Sequence, residues 1–288
     1  MSVRTGVALV LALVSTILTN VAYLREHDAA AALPVLSMRR PLHSLRLLLS
    51  DRSWITGFAM ETGGFAIYAA ALALASISLV QSVAAGGIGV LAYVSARMSG
   101  RHLAGRELGG VILSVLGLLA LGVSLAGGSG GGGKASMGAI ALWLGATAAA
   151  ALVVLAAARG RLMGSAVAEG IAGGLFFAIG DISTKVATEG GLRSAFVLTL
   201  ILGYTLGTSL LQLGYQRGGA LTVAGLATLL TNALPIAAGP VVFAEPVPAG
   251  ALGGLRIIAF TAVIVSAILL ARPDQQAPDR ALAHPAAP

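Results

Sequence analysis

The stretch "WITGFAMETGGFAIY", Trp54 to Tyr68, contains one carboxylate, Glu61, among apolar, small and neutral residues. Glu61 lies seven residues past Trp54, an aromatic suited to a membrane interface, so at 1.5 Å per helical residue it sits roughly 10 Å into an apolar segment. An acid at that depth costs a few kcal/mol unless it is paired, hydrated or protonated, and such acids are functional candidates by default. The chemistry open to it is reversible binding of a proton or a cation. Glu61 is therefore the candidate ligand of any metal ion; the alternative is a hydrogen-bonded packing residue.

Other residues extend that chemistry. Asp181 and Lys185 are four apart on one apolar segment and share a helical face. They read either as a local ion pair or as charges facing a cavity. Glu169, at the start of that segment, reads as complementing the helix dipole. Asn20, Gln81, Gln212 and Asn232 are amides in or beside apolar segments, where they either join helices or line a pathway. Asn20, Asn232 and Tyr68 are placed with Glu61 and Asp181 on the pathway; Lys185, Gln212 and Pro235 are structural or secondary. Pro235 and Pro240 are expected to interrupt their helix and free carbonyl oxygens, which serve as ion ligands in several transporters. The spacings Gly170 to Gly174 and Gly203 to Gly207 are GxxxG and read as close helix packing. No catalytic set stands out, and no cofactor is expected. The chain has no cysteine, and its four histidines, at 27, 43, 102 and 284, fall in predicted loops or the tail. "GGSGGGGKAS" matches GxxxxGK, but Ala135 follows Lys134 where a phosphate-binding loop needs a hydroxyl, so it reads as a flexible linker.

The elements that must position these residues follow from composition. Of 288 residues, 57% are hydrophobic and 10% charged, against about 25% charged in a soluble domain. A net charge of +7 does not point to nucleic acid, because the basic residues lie in short loops between apolar segments. Runs of about 20 apolar residues cross the ~30 Å hydrocarbon core as helices. Nine are predicted: about 5–24, 55–75, 78–98, 107–127, 137–158, 164–187, 195–216, 220–243 and 252–271. The first is read as a retained membrane helix rather than a cleaved signal segment. Loop 25–53 is too basic to span; after Pro41, Leu42, Leu45, Leu48 and Leu49 share a face, consistent with a short helix on the membrane surface or a polar linker. Nine spans put thirteen of the eighteen Lys and Arg residues on one side. The N-terminus is then outside and the C-terminus cytoplasmic.

Two stretches share a layout of helix, tight turn, helix, small polar loop and "LGG" opening the last helix. Residues 1–127 form a first unit, 128–163 a Gly-rich loop and linking helix, 164–272 a second unit, and 273–288 a disordered cytoplasmic tail. Five helices precede the second unit, so it enters the membrane from the opposite side. That is an inverted repeat of two four-helix units, with a site expected near the midplane between them. The expected fold is an all-α integral membrane protein.

"GGLFFAIGDISTKVA" and "LTNALPIAAGPVVFAEPVPAGALGGLRIIAFTAVIVSAIL", with Pro235 in the helix and Glu245 at its end, resemble the second repeat of the EamA-type fold in the drug/metabolite transporter superfamily. "WITGFAMETGGFAIYAAALALASISLVQSVAAGGIGVLAYVSARMSGRHL" resembles the NIPA-like magnesium transporter branch. The resemblance covers roughly residues 5–272. It implies a secondary, non-ATP, non-enzymatic transporter of a small solute by alternating access in the plasma membrane, with a divalent cation such as Mg²⁺ as one candidate. The alternatives are a proton-coupled exporter of a small metabolite or drug, and a non-transporting membrane scaffold. Expected partners are the lipid bilayer, a small solute or cation and a second copy of the chain, but no nucleic acid.

Overall fold

A computed structural model describes residues 3–74, 77–84, 87–98, 100, 102, 105–126, 135–187, 189–244 and 250–271. Among them the chain is helical, with no strand. The order is α1 (Val3–Ala32), α2 (Pro41–Ser50), α3 (Arg52–Leu74), α4 (Ile77–Ala84), α5 (Gly87–Met98) and α6 (Gly105–Ala126), then α7 (Met137–Arg159), α8 (Ser165–Ala187), α9 (Phe196–Tyr215), α10 (Ala220–Val242) and α11 (Ala251–Ala271). A 3-10 turn, Gly191–Ala195, leads into α9. Six helical segments are long and apolar enough to cross a membrane: Gly6–Ala32, Arg52–Leu72, Met137–Arg159, Ser165–Ala187, Gly191–Tyr215 and Ala220–Val242. The other three predicted spans are helical as α4 with α5, α6, and α11. The Gly-rich loop through Lys134, Glu245 and the tail 273–288 lie outside the described residues.

Solvation follows the membrane pattern. α8 and α10 are buried along most of their length. Large apolar side chains such as Val10, Leu142, Val153, Leu198 and Ile257 point outward. Lipid is as apolar as Leu, so helix association depends on close packing rather than on escape from water. Glycine supplies that approach. A Cβ on Gly174 would stand 2.6 Å from the carbonyl oxygen of Ala227 on α10, and one on Gly170 2.7 Å from that of Val223. Gly203 lies equally close to α8, where a Cβ would meet the Phe176 carbonyl at 2.8 Å. The two GxxxG spacings are thus packing surfaces. Gly57 does the same for α1 and α3: its missing side chain leaves room for the Glu26 stem, whose Cγ a Cβ would meet at 2.8 Å.

Several expectations change. Span 5–24 continues as helix to Ala32, so "REHD" is not loop. The alanine run 29–32 favours helix, with Arg25 and Asp28 exposed and Glu26 fully buried. Segment 41–50 is a helix, with Pro41 in its first turn, where the missing N–H costs nothing. Leu48 is buried, while Leu42, Leu45 and Leu49 stay exposed. Trp54 is buried against Ala29, Leu36, Leu48 and Leu213 rather than exposed at an interface. α10 runs unbroken through Pro235 and Pro240. The predicted interruption is absent because neighbouring helices hold this buried helix on several sides. Pro235 still lacks an N–H, so the Thr231 carbonyl has no intrahelical donor four residues on. Glu169 is paired with Arg217 beyond the end of α9, an ion pair rather than a dipole contact.

Candidate functional site

A cavity of about 100 Å³ lies between α1, α3 and α4 on one side and α8, α9 and α10 on the other. Its wall includes all five residues singled out for the pathway: Asn20, Glu61, Tyr68, Asp181 and Asn232. Residues more than 200 positions apart are brought together because α1 and α10 both border the space. Lys185, Gln212 and Pro235 are not in its wall. Among the described residues no Lys, Arg or His lines the cavity, while two carboxylates, Glu61 and Asp181, do. Five of its sixteen lining residues are aromatic (Tyr23, Phe65, Tyr68, Phe177 and Tyr204), against 5% of the chain.

At one end, Asp181 is held by side chains from two other helices. Tyr204 on α9 donates its hydroxyl to Oδ1 at 2.5 Å, and Gln81 on α4 donates Nε2 to Oδ2 at 3.3 Å. The same Gln81 nitrogen contacts the Tyr68 hydroxyl at 2.6 Å. Asp181 thus joins α8 to α4 and α9. Three rings stack around it: Phe65 and Tyr204 meet edge to face at 4.8 Å between centroids, and Phe177 lies 5.6 Å from Tyr204.

Glu61 is 9% exposed, and its Oε2 has no hydrogen-bond partner. Its carboxyl neighbours that of Glu26 from α1: the Glu26 stem packs against Gly57, one turn before Glu61 on α3. Glu26 is fully buried and also accepts from the Gln212 amide on α9. Glu26 was not expected, because it sat in a predicted loop. The signal was legible in the spacing: Asn20, Tyr23, Glu26 and Ala30 recur at helical intervals and are all buried.

The amides show a second unrecognised signal. Thr16-Ile-Leu-Thr-Asn20 and Thr228-Leu-Leu-Thr-Asn232 repeat the pattern TxLTN. Each asparagine donates Nδ2 to the threonine carbonyl four residues back, Asn20 to Thr16 at 2.8 Å and Asn232 to Thr228 at 2.7 Å. That bond fixes the amide rotamer. The threonines and asparagines of both copies line the cavity. The Asn20 Oδ1 is buried without a partner. Carboxylate, amide and hydroxyl oxygens backed by rings form an environment for a small positively charged or polar solute. Among the described residues, no three His, Cys, Asp or Glu side chains cluster as a metal site.

No protein-family model, no curated protein and no solved structure matches this chain.

Proposed function

We propose that the chain is a secondary membrane transporter that moves a small cationic solute by alternating access. The observation that carries this reading is the cavity itself: two carboxylates, no basic group, and walls drawn from helices near both ends of the chain. The drug/metabolite superfamily, with its NIPA-like branch, is the proposed kinship. Helix pairing supports an inverted repeat. α1 packs on α3 as α8 packs on α9, and α1 packs on α4 and α5 as α8 packs on α10. α6 and α11 are the last helices of the two units and would run in opposite directions. Gly110 faces Leu269 and Leu270, and Gly117 faces Ala259 and Val263, so they are antiparallel. With nine spans, the plasma membrane is the proposed location, N-terminus outside.

Mg²⁺ remains a candidate, since it takes one or two carboxylates and keeps several waters. The aromatic wall favours a second reading, an organic cation, because rings attract an ammonium without stripping it onto a full set of oxygens. Proteoliposome uptake assays test both. Purified chain should accelerate entry of Mg²⁺ or of a small alkylammonium ion above that of empty liposomes, and saturate. A scaffold would move neither.

A further inference from the structure

The Glu26–Glu61 contact lies apart from Asp181. α9 carries both Tyr204, bound to Asp181, and Gln212, bound to Glu26; eight residues separate them, roughly 12 Å along the helix. Glu26 is not part of the cavity wall, so the pair begins where the cavity ends. Four buried oxygens there have no hydrogen-bond partner: Glu26 Oε1, Glu61 Oε2, Gln212 Oε1 and the Tyr215 hydroxyl. Gln212 and Tyr215 are 1% and 2% exposed. The Gln212 amide is anchored through its nitrogen on Glu26, and its oxygen is buried without a partner. Tyr215 follows Gln212 by three residues on α9 and so shares its face, and its ring meets that of His27, the neighbour of Glu26, edge-on at 5.4 Å.

Among the described residues the basic groups nearby do not pair with them: Arg25 is exposed, His27 contacts Asp28 at 3.1 Å, and Arg217 pairs with Glu169. Two neighbouring buried carboxyl groups without a cationic side chain require a positive charge, a proton or a bound cation. A proton would serve the contact between the two carboxyls and leave the amide and phenol oxygens unanswered. A metal cation can take carboxylate, amide and phenol oxygens together. Hard oxygen donors select a hard ion. Mg²⁺ gives up its water reluctantly, and these oxygens are almost completely shielded from solvent. We infer that Glu26, Glu61, Gln212 and Tyr215 form a binding site for a dehydrated alkali cation, distinct from the solute cavity and sharing Glu61 with it. This deepens the transporter reading, for which the ion would couple to solute movement, but its test does not depend on transport.

Thermal unfolding of the purified full chain in uncharged detergent supplies that test. NaCl, KCl and MgCl₂ are compared with choline chloride at matched ionic strength. An ion that binds only the folded state raises the midpoint, by roughly 5 °C at a hundredfold excess over its Kd. Na⁺ or K⁺ should do so through Glu26, and Glu26→Gln should abolish that rise; a rise caused by choline, an ammonium that suits the proposed solute cavity, should survive Glu26→Gln. Tyr215→Phe removes one oxygen and no charge, so it should fold and require several-fold more ion for the same rise; it decides the matter if the Gln variant does not fold. Protection by Mg²⁺ alone, protection by no ion, or a Tyr215→Phe response equal to wild type would each overturn the assignment. Alkali-ion protection without solute flux would sink the transporter reading and leave the site standing.

Discussion

Glu61→Gln is expected to insert and fold as the native chain does and to lose solute flux by roughly a hundredfold, the equivalent of one charge-assisted hydrogen bond of about 3 kcal/mol. Glutamine keeps the size of the side chain and part of its hydrogen bonding. It cannot carry charge, and Glu61 is one of two carboxylates facing a cavity without a basic residue. Stability should not suffer, because the substitution relieves the approach of two buried carboxyls from α1 and α3. Glu61→Asp keeps the charge on a shorter stem and should retain part of the flux. Native melting behaviour together with native flux in the Gln variant would make Glu61 a packing residue.

Asp181→Asn is expected to reduce both flux and stability. Asp181 accepts from Tyr204 and from Gln81. The amide keeps one acceptor oxygen and turns an NH₂ toward the other donor. Tyr204 can accept from that NH₂ only by turning its own hydroxyl away, and both charge-assisted bonds become neutral ones, at a cost of about 1–3 kcal/mol. The effect should be partly relieved by Gln81→Glu in the same chain, which restores an acceptor opposite the new donor. A neutral pair replacing Asp181 and Lys185 together should not rescue flux, since the charge that accepts from Tyr204 and Gln81 is lost in it as well. Unfolding curves and uptake by the single and double variants separate these outcomes. Wild-type stability in Asp181→Asn would mean that these two bonds contribute nothing measurable.

These two acids differ in how far they could be read from residue order. Both stood out because a charge inside an apolar run is costly wherever the run folds. Their partners did not. Tyr204 and Gln81 lie 23 and 100 positions from Asp181, and no local periodicity links them. Glu26 was hidden for another reason. A charged "REHD" after twenty apolar residues looks like the end of a span, and only burial on α1 reveals that two of its four residues point outward while Glu26 points in. Pro235 misled in the opposite direction: proline weakens a helix by removing one hydrogen bond, and the contacts that keep α10 continuous come from helices distant in the chain. Helix positions and apolar faces were legible because they depend on composition over tens of residues. The TxLTN pair was legible too, as two five-residue strings, but its meaning required knowing that both border one space.

The chain contains no cysteine, so a single Thr231→Cys substitution reports on the cavity without interference. Thr231 lines it, and its carbonyl is the one freed by Pro235. A membrane-impermeant thiol reagent applied to right-side-out and to inside-out vesicles measures the access that alternation requires. Alternating access predicts modification from both sides, with Glu61→Gln shifting the ratio of the two rates. Modification from one side only, or from neither, would contradict alternating access through this cavity.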